Sequence, residues 1–312
     1  MLGASGYTGG ELLRLLARHP GIAVVAAAAS SWSGKAVGDA HPHLRGEVDL
    51  ELVPVEDALG LGDVCFSCLP HGTFPQYAGR VEAPVVVDLG DDFRADEAWS
   101  YGLPELTPPA GPLIANPGCY PTATLLCLVP FARAGLIGGP VVVDALSGVS
   151  GAGRSAQDHL LFASVAGGAA AYGPLPHRHT AEIERGLHAF GGLDVAVSFT
   201  PHLAPMSRGL LVTARAPSTR VCSNEDALAI LQDAYAGEPF VDVTEEWPST
   251  KHVAGTNRAS LSARVDTRAG LLVCSAAIDN LGKGAAGQAV QNANLALGLD
   301  QTTGLDGIAV WP

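Results

Sequence analysis

The sequence predicts an α/β protein that combines a doubly wound parallel sheet with an α+β region built on a mixed sheet. Two observations lead to this prediction. In the first part of the chain, short apolar runs alternate with helical stretches, which is typical of repeated β-α-β units. In the second part, strand-like runs follow one another with few helices between them, which favours a mixed or antiparallel sheet.

The composition is typical of a compact enzyme. The chain has 312 residues, enough for two domains, with 38 glycines and only 16% charged residues. The net charge of −13 argues against nucleic acid or an anionic membrane as a partner. The longest apolar run, Ile22 to Ala29, is too short to span a bilayer, and no signal-peptide pattern is visible. Six scattered cysteines predict reduced thiols and a cytoplasmic location.

The chain opens on a glycine-rich turn, Gly3-Ala4-Ser5-Gly6-Tyr7-Thr8-Gly9-Gly10, which leads directly into a helical pattern. Its G-x-x-G-x-x-G spacing is a variant of the Rossmann fingerprint, in which a pyrophosphate binds at a helix N-terminus. The predicted dinucleotide contacts are Gly3, Ser5, Gly6, Tyr7, Thr8 and Gly9. Only Met1 and Leu2 stand where the first strand of such a sheet belongs. We therefore expect the natural protein to begin upstream of Met1.

The next apolar run, Ile22 to Ala28, predicts the second strand of this sheet. In enzymes that use NAD, an acidic residue at the end of this strand binds the ribose hydroxyls. Here Ser30, Ser31, Ser33 and Lys35 follow instead, and hydroxyls with a cation suit a 2′-phosphate. The sequence therefore favours NADP over NAD, the alternative being that these are ordinary loop residues.

Two further strands are predicted, at Asp63 to Leu69 and at Pro84 to Leu89. Ligands gather at the carboxyl ends of parallel strands, which places His71 and Asp91 to Arg94 near the expected site. Cys65 and Cys68 form a single C-x-x-C within the first of these strands. No second pair supports a zinc site, so we interpret them as structural.

A cysteine follows a Pro-Gly turn in Asn116-Pro117-Gly118-Cys119-Tyr120-Pro121-Thr122, and the apolar run after it predicts a helix. Proline suits the first turn of a helix, so Cys119 is expected at the helix N-terminus. Backbone N–H groups and the helix dipole there lower a thiol pKa and can hold an oxyanion. Cys119 is therefore a candidate nucleophile, with a buried structural cysteine as the alternative.

Two later segments add polar chemistry. The predicted strand Val141 to Leu146 leads into a Gly/Ser-rich loop that ends at Arg154 and suits an anionic group, with a flexible surface loop as the alternative. The loop lacks the Walker pattern of ATP sites.

The second segment, Pro176 to Glu184, has the spacing H-x-H-x-x-E. Thr180 is the predicted N-cap of a helix, which would leave His177 and His179 just before the helix. We interpret the histidines as acid/base or substrate-binding groups, with a structural role left open. No convincing third ligand supports a metal site.

The rest of the chain predicts four strands and two helices. The strands are Val195 to Thr200, Leu210 to Ala216, Ser260 to Val265 and Leu271 to Ile278; the helices are Glu225 to Tyr235 and Gly284 to Leu297.

Taken together and in order, the motifs resemble the N-acetyl-gamma-glutamyl-phosphate reductases, relatives of the aspartate-semialdehyde dehydrogenases. The motifs are GASGYTGGELLRLL, LPHG, NPGCYPTA, SGVSGAGR, HRHTAEIE, FTPHLAPMSRG and DNLGKGAAGQAVQNANLALG. The resemblance implies a Rossmann domain of residues 1–118 and 284–312, lacking its first strand here, and a catalytic and dimerisation domain of residues 119–283. It also suggests a homo-oligomer, either a dimer or a tetramer.

The resemblance also implies roles for individual residues. Cys119 matches the family nucleophile, and His177 matches the acid/base histidine. Arg178, His179 and Glu182 match residues that line the substrate site, and Asn280, Lys283 and Gly284 fall in a cofactor-facing segment.

The implied reaction is reversible, NADPH-dependent reduction of N-acetyl-gamma-glutamyl phosphate to the semialdehyde and phosphate, in arginine biosynthesis. Two alternatives remain open: the same chemistry on a one-methylene-longer aminoadipyl phosphate, and a non-catalytic regulator that binds a dinucleotide.

Overall fold

The computed structural model describes residues 1–173 and 177–311, so Pro176 of the predicted histidine segment lies outside the described residues. The helices are α1 (Tyr7–Leu16), α2 (Val37–Ala40), α3 (Pro75–Ala78), α4 (Cys119–Arg133), α5 (Phe162–Val165), α6 (Arg178–Gly191), α7 (Asn224–Ala234) and α8 (Gly287–Ala296). The strands are β1 (Ala27–Ala28), β2 (Leu52–Val53), β3 (Val64–Ser67), β4 (Val85–Asp88), β5 (Ser100–Tyr101), β6 (Leu113–Ala115), β7 (Val141–Gly148), β8 (Ala170–Ala171), β9 (Val197–Ala204), β10 (Leu210–Pro217), β11 (Val241–Val243), β12 (Ala259–Asp266) and β13 (Leu271–Ile278). Within the described ranges, no helix is both long and apolar enough to cross a membrane.

The chain divides into two compact units. Unit 1 comprises residues 1–117 and 285–306, and unit 2 comprises residues 118–284 and the end of the chain from Gly307. Unit 1 therefore contains β1 to β6 and unit 2 contains β7 to β13.

Unit 1 is built on a parallel sheet. Leu2 pairs in parallel with Ala28 on one side and Ser67 on the other, and so joins β1 and β2 to the four strands from β3 to β6. With Leu2 in the place of the first strand, the order β2-β1-Leu2-β3-β4-β6-β5 is that of a Rossmann-type sheet with one added edge strand. Both faces are covered, because Ala28 packs in the same apolar cluster as Leu2, whereas Ala27 packs in a separate cluster with Leu13.

The predicted second strand is wrong for Ile22 to Ala26. Only Ala27 and Ala28 pair with a neighbour, because the partner strand β2 has two residues and the ladder ends with it. The third and fourth predicted strands are confirmed as β3 and β4.

Unit 2 is built on a seven-stranded mixed sheet in the order β11-β12-β13-β10-β7-β9-β8. Its central strands pair antiparallel, whereas β7 and β9 pair in parallel. Helix α4 packs against β10 and β13 and also against α6 and α7, so these helices form one layer on one face. Along β7 the residues alternate, with Val141 and Val143 buried and Val142 exposed, which leaves the opposite face open.

Helix α4 is the core of unit 2. Every residue from Tyr120 to Ala132 is buried, and a helix buried on all sides is held by packing rather than by its own propensity. This burial fixes the position of the residue with which the helix begins.

Candidate functional site

Cys119 is the first residue of α4, as the sequence predicts. The residue before it, Gly118, has extended backbone, and no N-cap side chain or first-turn acid satisfies the start of the helix. Cys119 itself is partly exposed. The positive end of the helix dipole therefore acts at an accessible thiol.

The start of α6 differs from the prediction. His177, not Thr180, is the N-cap, and its imidazole Nδ1 accepts the N–H of His179 at 3.2 Å. The prediction of Thr180 was wrong because an imidazole nitrogen two residues before the amide serves as the acceptor that a hydroxyl usually provides. His177 thus stands at the helix start, while His179 lies buried in the first turn.

Aromatic rings surround His177. The ring centroids of Tyr120, Tyr172 and Phe199 lie 5.9, 6.1 and 5.2 Å from that of His177, and the His179 ring lies at 4.8 Å. Burial and the neighbouring Arg178 guanidinium lower the pKa of His177, and the Glu182 carboxylate opposes them. These surroundings favour a neutral imidazole, and because Nδ1 accepts the His179 N–H, that neutral ring carries its proton on Nε2.

Two tyrosines link this cluster to the thiol. The hydroxyls of Tyr120 and Tyr172 are 2.7 Å apart. Burial raises the pKa of Tyr172 to about 12, and the charge of a Cys119 thiolate adds to the increase. Burial also raises the pKa of Tyr120, so both hydroxyls stay protonated. Sequence reasoning missed this pair; the signal for Tyr120 was its position directly after the cysteine.

Glu182 is one of the substrate-site residues that the resemblance implies. Its side chain is only 4% exposed. Its Oε1 accepts the N–H of Gly118 at 2.9 Å, which connects α6 to the residue before Cys119. Arg178, in contrast, is exposed at the start of α6.

The loop that follows β7 is held at its start by backbone and side-chain hydrogen bonds. Val149 N–H donates to Met206 O at 2.9 Å, and the Asn280 amide donates to Ser150 Oγ at 2.9 Å. Arg154, at the end of the loop, is exposed. The start of the loop is therefore fixed by hydrogen bonds, and its end exposes the Arg154 guanidinium.

The predicted cofactor segment around Asn280 lies in unit 2. Asn280 is buried, and its Oδ1 accepts Gly209 N–H at 2.8 Å. Lys283 is fully buried, with its ammonium 5.7 Å from the centre of the Phe240 ring. A Cβ on Gly284 would lie 2.8 Å from the Cβ of Cys119, so glycine lets this segment pack closely against Cys119. The cofactor role of these residues stays a prediction.

The glycine-rich turn in unit 1 fits a dinucleotide. Gly3 has a φ of +76°, and an added Cβ would lie 2.5 Å from Cys68 O; at Gly9 it would lie 2.6 Å from Gly3 O. Gly6 is the N-cap of α1, in which Tyr7 and Thr8 are the first residues, and neither a side-chain cap nor a first-turn acid is present. The backbone thus forms a tight turn before a helix N-terminus that suits a pyrophosphate. Ser30 and Ser31 lie exposed just after β1.

Among the described residues, the one group of side chains whose ligand atoms lie close enough together to hold a metal ion is His71, Asp91 and Asp92, where the imidazole Nδ1 contacts both carboxylates. This group does not belong to the histidine segment. Burial raises the pKa of Cys65, and that of Cys68 to about 12, which makes both thiols unreactive.

Comparison with solved structures shows the fold. Aspartate semialdehyde dehydrogenase II from Vibrio cholerae, complexed with ASA, matches with a TM-score of 0.77 and 18% identity over 95% of this chain and 96% of that chain. Aspartate semialdehyde dehydrogenase with NADP from Candida albicans matches with a TM-score of 0.73 and 18% identity over 94% and 96%. The predicted fold class is confirmed.

Comparison of sequences shows the family. The model of the semialdehyde dehydrogenase NAD binding domain matches residues 1–111, and that of the semialdehyde dehydrogenase dimerisation domain matches residues 119–280. Proteins named N-acetyl-gamma-glutamyl-phosphate reductase are 45% identical in Acidothermus cellulolyticus and 44% identical in Streptomyces coelicolor, each over 99% of this chain and 98% of the relative. The family that the motifs predict is confirmed: the chain belongs to the N-acetyl-gamma-glutamyl-phosphate reductases.

Proposed function

We propose that this chain catalyses the reversible, NADPH-dependent reduction of N-acetyl-gamma-glutamyl phosphate to N-acetyl-L-glutamate 5-semialdehyde and phosphate, a step of arginine biosynthesis. The observation that carries the proposal is the position of Cys119 at the start of α4, in the unit that also holds the His177 cluster. Family membership supplies the substrate.

In this mechanism the Cys119 thiolate attacks the acyl carbon and expels phosphate, which leaves a thioester on the sulfur. N–H groups at the start of α4 stabilise the oxyanion, and loss of one such donor typically costs ~10²–10³ in rate. When bound, NADPH is the source of the hydride for reduction of the thioester. The thiolate then leaves the reduced carbon, and His177 accepts or returns the proton that this exchange requires.

The turn before α1 would hold the pyrophosphate of the cofactor. Its contacts are Gly3, Ser5, Gly6, Tyr7, Thr8 and Gly9, with Ser30 and Ser31 near the 2′-phosphate. The tight contacts at Gly3 and Gly9 and the uncapped helix start support this assignment. We assign Arg154, Arg178 and His179 to the anionic substrate.

We further propose that the enzyme is a homodimer through the open face of the second sheet. Val142 and Leu146 of β7 are 39% and 38% exposed there, and the family model that matches this unit is described as a dimerisation domain. Light scattering after size-exclusion chromatography measures the oligomeric state. A monomer at micromolar concentration would contradict the proposed homodimer. We assign the enzyme to the cytoplasm, where its six free cysteines would stay reduced.

The test of the function is phosphate-dependent reduction of NADP⁺ by N-acetyl-L-glutamate 5-semialdehyde. We expect Cys119→Ser to lower turnover at least ~10³-fold, as removal of a catalytic nucleophile does. NADPH binding, followed by its fluorescence, should be unchanged.

Cys222→Ser is the matched control, because Cys222 is buried in the same unit and its thiol donates to Ser223 O, outside the cluster. Near-normal turnover of Cys119→Ser would contradict the assignment of the nucleophile. Higher kcat/KM on the one-methylene-longer semialdehyde would move the substrate to the aminoadipyl class.

A further inference from the structure

The carboxylate of Glu182 is committed to the protein itself. It is 4% exposed, and its Oε1 accepts the N–H of Gly118 at 2.9 Å. Gly118 is the N-cap of α4 and has no side chain with which to organise the start of that helix. A carboxylate from α6 therefore makes the bond to the N-cap N–H that a Glu or Gln at the third position of the helix makes in a capping box.

The packing of α6 on α4 makes this contact possible. At Gly186, one turn beyond Glu182, an added Cβ would lie 2.5 Å from Leu125 Cδ1 of α4, so glycine permits close approach of the two helices. The first turns of α6 then carry the His177 cap at one end and Glu182 further along. One hydrogen bond thus connects the helix that bears His177 to the residue before Cys119.

A buried carboxylate is poorly suited to hold this substrate directly. The acyl phosphate and the α-carboxylate of the proposed substrate are both anionic, and like charges at short range in a partly buried site repel. A charge-assisted bond to a backbone N–H is instead among the stronger hydrogen bonds in proteins, and breaking it leaves a buried donor unsatisfied.

We propose that Glu182 is a positioning residue: by holding the Gly118 amide, its carboxylate fixes the backbone of Cys119 with respect to His177. This inference rests on the proposed function of Cys119 and His177. It replaces the role of substrate ligand that the resemblance implies for Glu182.

Two substitutions separate length from charge. Glu182→Asp keeps the charge but shortens the side chain by one methylene, so its oxygen no longer reaches Gly118. Glu182→Gln keeps the length and an acceptor oxygen but removes the charge. We expect Glu182→Asp to lower kcat about 30- to 100-fold, because a displacement near 1 Å costs ~10²-fold. Glu182→Gln should stay within about 5-fold of the native kcat, and the KM for the semialdehyde should change less than about 3-fold in both.

The control is Glu184→Asp on the same helix: the Oε1 of Glu184 accepts the N–H of Val197, at the start of β9, at 2.9 Å and makes no bond to Gly118 in this arrangement. It should leave kcat and KM near native values. A second readout needs no substrate: the rate at which iodoacetamide alkylates Cys119, measured by peptide mass spectrometry, should fall in Glu182→Asp and stay near native in Glu182→Gln.

A rise in KM with unchanged kcat in either variant would show that Glu182 is a substrate ligand and overturn the inference. A larger loss in Glu182→Gln than in Glu182→Asp would show that charge, not the bond to Gly118, matters, and would also overturn it. If the native protein shows no phosphate-dependent turnover, the proposed function fails, whereas the alkylation rates still decide the positioning role. Equal alkylation rates in all forms would refute it.

Discussion

Each unit contains a helix that begins after an extended glycine, and the two helix starts invite comparison. In unit 1, Gly6 precedes α1 with φ and ψ of −75° and 170°; in unit 2, Gly118 precedes α4 with −69° and 153°. Neither has a side-chain cap or a first-turn acid. Both starts present the positive end of a helix dipole, although at α4 the Gly118 N–H is already bound by the Glu182 carboxylate of α6.

The two starts differ in what shapes them. The turn before α1 is shaped by backbone against backbone, with Gly9 against Gly3 O and Gly3 against Cys68 O. The start of α4 is held by a side chain of another helix, Glu182 of α6, and carries the candidate nucleophile at its first position. The first arrangement suits binding of a ready-made anion, and the second suits chemistry in which an anion forms. An added methyl group should therefore impair the turn before α1, whereas altered side chains should impair the start of α4.

The largest effect that tests this difference is expected from Gly9→Ala. The added Cβ would lie 2.6 Å from Gly3 O and 2.8 Å from Ala4 Cα, both backbone atoms, so the turn itself must move. Loss of one or two charge-assisted N–H bonds at about 1.5–3 kcal/mol each would weaken NADPH binding ~10²-fold. Fluorescence titration with NADPH measures it.

Gly6→Ala is the paired control, because its Cβ would meet no atom nearer than Gly3 O at 3.8 Å. The free energy of unfolding of Gly6→Ala should change by less than about 1 kcal/mol, as for other changes at an N-cap glycine. If NADPH affinity falls in this variant, the cause is then contact between the added methyl group and the bound NADPH. In both variants the alkylation rate of Cys119 should stay native. A lower rate in Gly9→Ala would mean that the two helix starts are not independent.

A smaller effect is expected at the start of α6. Burial and then the Arg178 guanidinium lower the pKa of His177 below 6.5, so its proton-accepting form persists under mildly acidic conditions. Arg178→Gln removes one cause, raises the pKa of His177, and should move the acid limb of kcat/KM for semialdehyde oxidation to higher pH. Arg185→Gln, an exposed residue on the same helix, should leave the limb in place. A limb that stays unmoved in Arg178→Gln would show that the Arg178 guanidinium does not lower the pKa of the titrating group.

The parts of the fold that the sequence predicts well depend on local patterns. The strand Leu271 to Ile278 coincides with β13, and the runs at Val141 and Leu210 are β7 and β10, because apolar residues repeat along them. Cys119 begins its helix as predicted, since a Pro-Gly turn and the proline at position 121 define that start.

The rest depends on contacts between distant residues. Nothing near Glu182 in the sequence shows that its partner is Gly118, 64 positions away, and the pairing of Tyr120 with Tyr172 spans 52 positions. The His177 cap was missed for a local reason, since histidine is seldom an N-cap and a threonine stood nearby. The candidate residues were therefore predictable as a set, whereas the hydrogen bonds that connect them were not.

The smallest expected effect comes from a buried carboxylate. Buried carboxylates in the two units differ in the hydrogen bonds that they accept. In unit 2, Asp279 is fully buried and accepts bonds from the Arg208 guanidinium and from the N–H groups of Gly255, Leu281 and Gly282. In unit 1, Asp88 is as deeply buried at the end of β4. Its Oδ1 accepts the N–H of Gly90 at 3.1 Å, and burial raises the pKa of Asp88 to about 6 although Gly90, Ser67 and the Arg94 guanidinium oppose the increase.

The pKa of Asp88 in the folded protein lies above its unfolded value of 3.8, so the folded state binds this proton more tightly. The free energy of unfolding is therefore highest below pH 3.8 as far as Asp88 is concerned, and it falls as the pH rises through about 6. Each pKa unit corresponds to ~1.4 kcal/mol, so the ionised form costs on the order of 3 kcal/mol above pH 7. Asp88→Asn keeps an oxygen for Gly90 and removes the charge. Urea unfolding should show the variant more stable by about 1–3 kcal/mol at pH 8 and nearly equal to the native protein at pH 4. A difference that is constant across this range would show that ionisation of Asp88 carries no such cost.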